Sequence, residues 1–494
     1  MFGDVYVGAA PMRGLPDPGR SLGRSISIAV FAAVLVVSAG TVYVGASATK
    51  SWYPSRWDEQ VAPIAAEVAQ LRGLDFVHPV AIHYLQPKAF ERQLGWDSAS
   101  AETRASVERE EAEFRALGFI DGKVDLLRAF GTSQSSGTLA YYDESKREIF
   151  VRGTTLDVAH RVTLAHELTH VLQDQHFDLM KLHLQASRSD TGDPSAFKAL
   201  VEGDAVRIQQ AYLKQLPKAD QAAYARQDDA EGARVEKETT SVPYIVDLLG
   251  SAPYAFGKST VAVLKATDGN QGVDDALTGP TPSSSVFVEA GLVEPSVAVD
   301  PPLPPADATA VGRPEPFGAF EMFITLATRL DPARALLAAD VVGGGRAVSF
   351  LSGGVACYRV VVDPRAEHSR AFLSAAVRDW AHGRSRTSVD AAGDLVGFTV
   401  CDPGKSARGP SESRFKSAVE LLNIRMDLTA EVASDSSGDV ARCVARVFVA
   451  APGAAKLVLD IGSKKPTTAQ ATILHRIGAA SAGVCRADPD SGLP

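Results

Sequence analysis

The sequence predicts an α+β fold: a small sheet packed on one long helix, with a helical lobe beside it. Three observations predict this. Residues 80–85 (VAIHYL) and 141–153 (YYDESKREIFVRG) are short runs of strand character, the second alternating Ile149 and Val151 against Glu148, Phe150 and Arg152. Residues 157–184 carry a helical stripe of Leu164, Leu168, Val171 and Leu172. A further helix begins at Asp193 and Pro194, where the acid can cap and the fixed φ of proline suits the first turn, and it runs to about Leu213.

Other elements follow in order. Val61, Ile64, Ala65, Val68 and Leu71 recur at helical spacing, and the charged run SAETRASVEREEAEFRALG is a helix that stops at Gly118. Residues 50–135 therefore read as a mostly helical region, and 136–294 as the core that holds the strand pair and the histidine-rich helix. Residues 295–316 form a Pro-rich linker. Residues 317–405 form a second lobe with a Gly-rich turn at Gly343, Gly344 and Gly345 and strand-like CYRVVV and LVGFTVC, and 406–494 a small α+β appendage.

At 494 residues, 45% hydrophobic and 22% charged, the chain exceeds one ordinary core, so two or three domains are expected. A net charge of −9 speaks against nucleic acid as a partner, since phosphate binding needs a basic face. No phosphate-binding loop of the G-x-x-x-x-G-K-[ST] type occurs. Residues 25–49 contain no charged side chain, a run longer than the ~20 residues a helix needs to cross a bilayer. Arg13, Arg20 and Arg24 precede it and Lys50 follows. That bias makes 1–24 a cytoplasmic tail, 25–49 a transmembrane anchor and the remainder extracytoplasmic. A signal peptide cleaved near Gly45, Ala46 or Ala48 is the alternative, and it exports the body equally. Four cysteines fit an oxidising compartment. They allow three pairings, of which Cys357 with Cys401 and Cys443 with Cys485 is favoured because each pair lies within one segment; four buried thiols are the other possibility.

The stretch AHELTHVLQDQHFDL, residues 165–179, carries the chemistry. On a helix, residues i and i+4 share a face, so His166 and His170 can clamp one ion. Glu167 stands beside them, where it reaches a water at the metal rather than the metal itself, which is the general-base arrangement of H-E-x-x-H. Glu202, in ALVEGDA on the next helix, is the third zinc ligand, and Ala199 and Ala205 keep its helix face small enough for a short carboxylate to reach an ion on the neighbouring helix. His176 is six residues past His170 and off the ligand face. Asp204 lies about 200° around the helix from Glu202 and points away.

HELTH with a downstream glutamate resembles the gluzincin class of zinc metallopeptidases. The order YYDESKREIFVRG, AHELTHVLQDQHFDL, ALVEGDA is most similar to a group of uncharacterised bacterial membrane-anchored gluzincin-like proteins. The likeness spans roughly residues 77–289 and, more weakly, reaches about Trp380. It implies a gluzincin-like domain whose strand before the metal helix, residues 148–152, receives an extended peptide by β-augmentation. It also places Asp174, four residues after His170, on a ligand histidine or a neighbouring basic group. Tyr254, in SAPYAFG, is the implied donor to the reaction's oxyanion, with Tyr244 as runner-up. Where the group has a histidine in its later block, this chain reads TPSSSVFVEAG. The expectation is a membrane-anchored zinc peptidase acting on peptide or protein; the alternatives are a non-catalytic zinc-bearing scaffold and a cell-wall amide hydrolase.

Overall fold

The structure, a computed structural model, describes residues 5–7, 53–93, 101–407, 412–462 and 464–489. It is α+β, with two sheets and sixteen helices among the described residues.

The first half opens with β1 (Val5–Val7), α1 (Ala62–Arg72), β2 (Ile82–Leu85), α2 (Pro87–Gln93), α3 (Ala101–Leu117), α4 (Leu126–Ser135), β3 (Ala140–Asp143) and β4 (Glu148–Arg152). α1 buries the expected stripe of Ile64, Ala65 and Val68 and stops at Gly73, whose φ of 74° only glycine adopts without strain. α3 ends before Gly118, at φ 89°. β3 and β4 form the expected hairpin, and its turn is fixed by Asp143, which accepts from Ser145 Oγ (2.6 Å) and Lys146 N (3.1 Å).

This sheet has the order β1-β3-β4-β2. The expectation that residues 148–152 offer a free edge to substrate is therefore corrected. β4 pairs antiparallel with β3 on one side and parallel with β2 on the other, so its ladder is used on both sides. β1 lies on this same sheet, whereas the charge pattern puts residues 1–24 across a membrane from it. The proposed anchor, 25–49, lies outside the described residues, and no helix among those described is long and apolar enough to cross a membrane.

Next come α5 (Val158–Phe177), α6 (Leu179–Ala186), α7 (Pro194–Gln215), α8 (Lys218–Glu238) and α9 (Tyr244–Thr278). The helix expected over 157–184 is divided at Asp178, which takes a left-handed φ of 58° and caps α6 through Lys181 N. α7 starts as expected, with Asp193 accepting from Ser195 N at 2.6 Å. The back of α5 packs on the first sheet and α1 through Val162, Leu168, Ile64 and Val151, which is the sheet-on-helix layer expected.

After a 3-10 turn (Ser284–Phe287), the second sheet is built from β5 (Thr309–Pro316), β6 (Val342–Ser352), β7 (Val355–Pro364), β8 (Thr387–Ala392) and β9 (Leu395–Cys401), in the antiparallel order β5-β6-β7-β9-β8. α10 (Ala319–Ala327), α11 (Pro332–Asp340) and α12 (Ser369–Ala381) flank it. Two expectations change here. The Pro-rich stretch ends as edge strand β5, with a bulge between Val311 and Glu315; edge and bulge positions are where a sheet tolerates proline such as Pro314 and Pro316. The Gly343 to Gly345 run is the start of β6 rather than a turn; side chains there would strike the backbones of Val297 and Phe317, which cross over the strand at Gly344 and Gly345.

The C-terminal part is corrected as well. Its described residues form α13 (Glu412–Ala433), α14 (Gly438–Ala450), α15 (Ala454–Ile461) and α16 (Thr468–Ala487), with no strand among them. These helices are no appendage either: Phe415, Met426 and Val449 share one hydrophobic cluster with Phe130, Phe256, Phe317 and Val360. Buried Glu289 reinforces the join, meeting Arg446 at 3.0 Å and Arg365 at 3.2 Å, while Arg425 forks onto Asp340. Both favoured disulfides are present, Cys357–Cys401 across β7 and β9 and Cys443–Cys485 between α14 and α16.

Candidate metal centre

The middle of α5 is buried on all sides, and its two histidines turn toward α7. His166 Nε2 lies 3.1 Å, and His170 Nε2 3.4 Å, from the same oxygen of Glu202, Oε2. One ligand atom from each residue falls within 4.8 Å of the others. A tetrahedral zinc with arms of about 2.0–2.1 Å has edges of about 3.3–3.4 Å between ligand atoms. The two distances to Glu202 are close to such edges, and two imidazoles with one carboxylate is a donor set zinc favours.

Each imidazole is oriented from behind. Gln173 Oε1 lies 2.9 Å from His170 Nδ1, and Gln209 Oε1 lies 3.0 Å from His166 Nδ1. The amide nitrogen of Gln173 donates to Val201 O (3.0 Å) and Asp204 Oδ2 (3.1 Å), so its oxygen is the end that faces the histidine. An Nδ1 proton given to these amide oxygens leaves each Nε2 lone pair for a metal; in this structure the Nε2 atoms face Glu202. Burial keeps His166 neutral by lowering its pKa, which leaves the imidazole in its metal-binding form. Burial alone would oppose ionisation of Glu202, but hydrogen bonds from the two histidines hold its pKa below the usual carboxylate range.

Glu167 turns the other way, toward the sheet. Its Oε2 accepts from Tyr142 N at 2.8 Å, while Oε1 is buried with no hydrogen-bond partner among the described residues. Burial first, and then the charge of Glu202, push its pKa well above the ordinary value. A basic carboxylate oxygen beside a metal-ligand cluster is what proton transfer needs.

Tyr254, on α9, joins the cluster. Its ring centroid lies 6.1 Å from that of His166, and burial and a hydrogen bond to Glu202 raise its pKa. What brings it there is a backbone crossing. A Cβ on Gly203 would overlap the Gly257 carbonyl, and one on Gly257 would overlap the Ala199 carbonyl. Gly203 and the Ala199 backbone are thus in close contact with α9. Tyr244 is excluded: it begins α9 and packs edge-on against Phe415.

Asp174 touches neither ligand histidine. It accepts from Tyr142 OH (2.7 Å) and Leu179 N (3.1 Å), with Arg147 at 3.6 Å, so it pins the strand residue whose amide holds Glu167. His176 meets Asp75 O on the far side, as expected. Asp204 does point away from Glu202, yet it belongs to the support of the site through Gln173, and Arg72 fixes it at 2.6 Å.

Sequence reasoning missed Gln173 and Gln209. The available signal was their spacing, three residues after His170 and seven after Glu202, each on the ligand face of its helix. It also missed Lys198, one turn before Glu202, and His183 on α6, whose mutual charges act within the cluster. Burial, with a smaller effect from Lys198, lowers the His183 pKa to about 3.

No family model, curated protein or solved structure matches this chain. His166, His170 and Glu202 could hold one metal ion; Glu167 and Tyr254 stand at its margin.

Proposed function

We propose that this protein is a zinc-dependent peptidase that acts on the extracytoplasmic side; the pairing of β1 with β3 speaks against the membrane crossing at 25–49 that the charge pattern suggests. One observation carries the reading: three ligand atoms within 4.8 Å of one another lie beside a glutamate with one oxygen committed to the strand and one uncommitted among the described residues. The two disulfides support export.

Zinc, when bound by His166, His170 and Glu202, supplies a Lewis acid that polarises a carbonyl and makes water acidic near neutral pH. The chain's own residues do the rest. Glu167 Oε1 takes a proton from the attacking water and returns it to the leaving amine. Tyr142 N keeps Glu167 from swinging onto the ion by holding Oε2. Tyr254 donates its phenolic hydrogen to the oxygen of the scissile carbonyl as negative charge gathers there. Gln173 and Gln209 hold both imidazoles in the required tautomer.

A second reading has one observation in its favour. His166 and His170 are 1% exposed and Glu167 and Glu202 0% exposed, a degree of burial that suits a structural zinc in a scaffold protein. Against it stands Glu167, which a closed structural site has no use for. A casein and peptide-library assay on the parent and on Glu167→Gln, with metal analysis of both, separates the readings. The peptidase reading expects turnover by the parent only and equal zinc in both. Zinc without turnover in either establishes the scaffold, and cleavage of peptidoglycan alone establishes a cell-wall amide hydrolase.

A further inference from the structure

A pocket of about 300 Å³ opens where the ends of α3 and α10, the α12–β8 turn and the segment after β9 meet. It shares no residue with the metal cluster. Arg115, Arg329 and Arg384 line it, with Ile120 and Pro403 on its apolar side. Arg115 is already neutralised, forking onto Asp402 at 2.9 and 2.8 Å and pairing with Glu111.

The other two arginines are not neutralised. The Arg384 guanidinium lies over the Trp380 ring, 4.4 Å from its centroid, and donates to Ala116 O, while its Nε is buried with no acceptor among the described residues. Arg329 donates to Trp380 O at 3.1 Å. Among the described residues neither makes an ion pair with a carboxylate; the backbone and Trp380 hold both cations in place. Burial, and then the like charge of Arg329, lower the Arg384 pKa to about 10. Residues 408–411, next to the pocket in sequence, read Arg-Gly-Pro-Ser and add no acid. In a chain of net charge −9 this is a local excess of positive charge.

Two half-buried guanidiniums close together, without a counter-ion among the described residues, repel each other, and an anion between them relieves that repulsion. Their planar forks match the oxygens of phosphate. We propose that this pocket binds a phosphate-type oxyanion between Arg329 and Arg384, with any carbon skeleton attached to it resting on Ile120 and Pro403. The phosphate belongs either to a small soluble molecule or to a lipid headgroup.

Isothermal titration of the full chain tests this with three probes: inorganic phosphate, glycerol 3-phosphate, and phosphatidylcholine vesicles with or without phosphatidic acid. Saturable binding in at least one arm is expected, weakened roughly ten- to a hundredfold in Arg384→Gln and in Arg329→Gln. Response to the phosphatidic acid vesicles alone assigns a lipid headgroup; response to the soluble probes assigns a small phosphorylated molecule. Should Arg384→Gln lose its fold by near-ultraviolet circular dichroism, Arg329→Gln, which leaves the Trp380 stack in place, carries the test. No saturable binding in any arm, or binding that the folded variants leave unchanged, overturns the proposal.

Discussion

The backbone amide of Tyr142 donates to Glu167 Oε2 at 2.8 Å, and the other carboxylate oxygen of Glu167 has no partner among the described residues. This links the hairpin strand to the metal helix and divides the glutamate into an anchored half and a reactive half. Glu167→Gln keeps the anchor, because an amide oxygen can still accept from Tyr142, and removes the base. Turnover is expected to fall to background with zinc content unchanged.

The same substitution has a stability consequence in the metal-free protein. The folded-state pKa of Glu167 is raised by burial and by Glu202, so its ionisation destabilises the fold. That loss sets in as pH rises above the unfolded value of about 4.3. At neutral pH, metal-free Glu167→Gln should be more stable than the metal-free parent by about 1–3 kcal/mol. The difference should close below about pH 4, where both states hold the proton. Paired denaturant melts at the two pH values check the sign.

Tyr254→Phe removes a hydroxyl and leaves the ring against His166. If that hydroxyl stabilises the oxyanion, kcat drops by about 10²–10³ while KM and zinc content hold. A drop in zinc content instead would assign Tyr254 to support of Glu202.

Gln173→Leu and Gln209→Leu keep shape but take away the acceptors on the two Nδ1 atoms. Zinc affinity, measured by chelator competition, should weaken by about 10–100-fold for each.

Much of this site is legible in the sequence. His166 and His170 are, because i, i+4 spacing puts them on one helix face, and the H-E-x-x-H pattern with a glutamate on the next helix marks Glu167 and Glu202. The supporting residues are not, because Gln173 and Gln209 look like ordinary polar helix positions until the amide of each is seen against a ring. Small residues near Glu202 signalled a close approach but not which helix approaches; the partner, α9, is fixed by Gly257, far along the chain. β4 read correctly as a strand, but whether a strand is edge or interior depends on β2 arriving from residues 82–85, which local pattern cannot encode. The C-terminal helices were missed for a similar reason: their apolar positions face a core shared with α9, so their pattern, read as a separate unit, has no partner.

Gly257→Ala tests that crossing. Its new methyl would meet the Ala199 carbonyl, which lies in helix backbone and cannot move aside, so a loss of at least about 1–3 kcal/mol is expected. Gly478, inside α16 with nothing near its Cβ position, is the control: Gly478→Ala should gain about 0.5–1 kcal/mol. Equal effects at the two positions would contradict the close crossing of α7 and α9.

Convergence of His166, His170 and Glu202 on one cation is tested most directly by zinc stoichiometry of the purified full chain, beside that of Glu202→Ala. The account predicts about one zinc per chain in the parent and its loss from a Glu202→Ala protein that remains folded. A parent that takes up no zinc when supplied with it, or a variant that retains zinc as tightly as the parent, would contradict it.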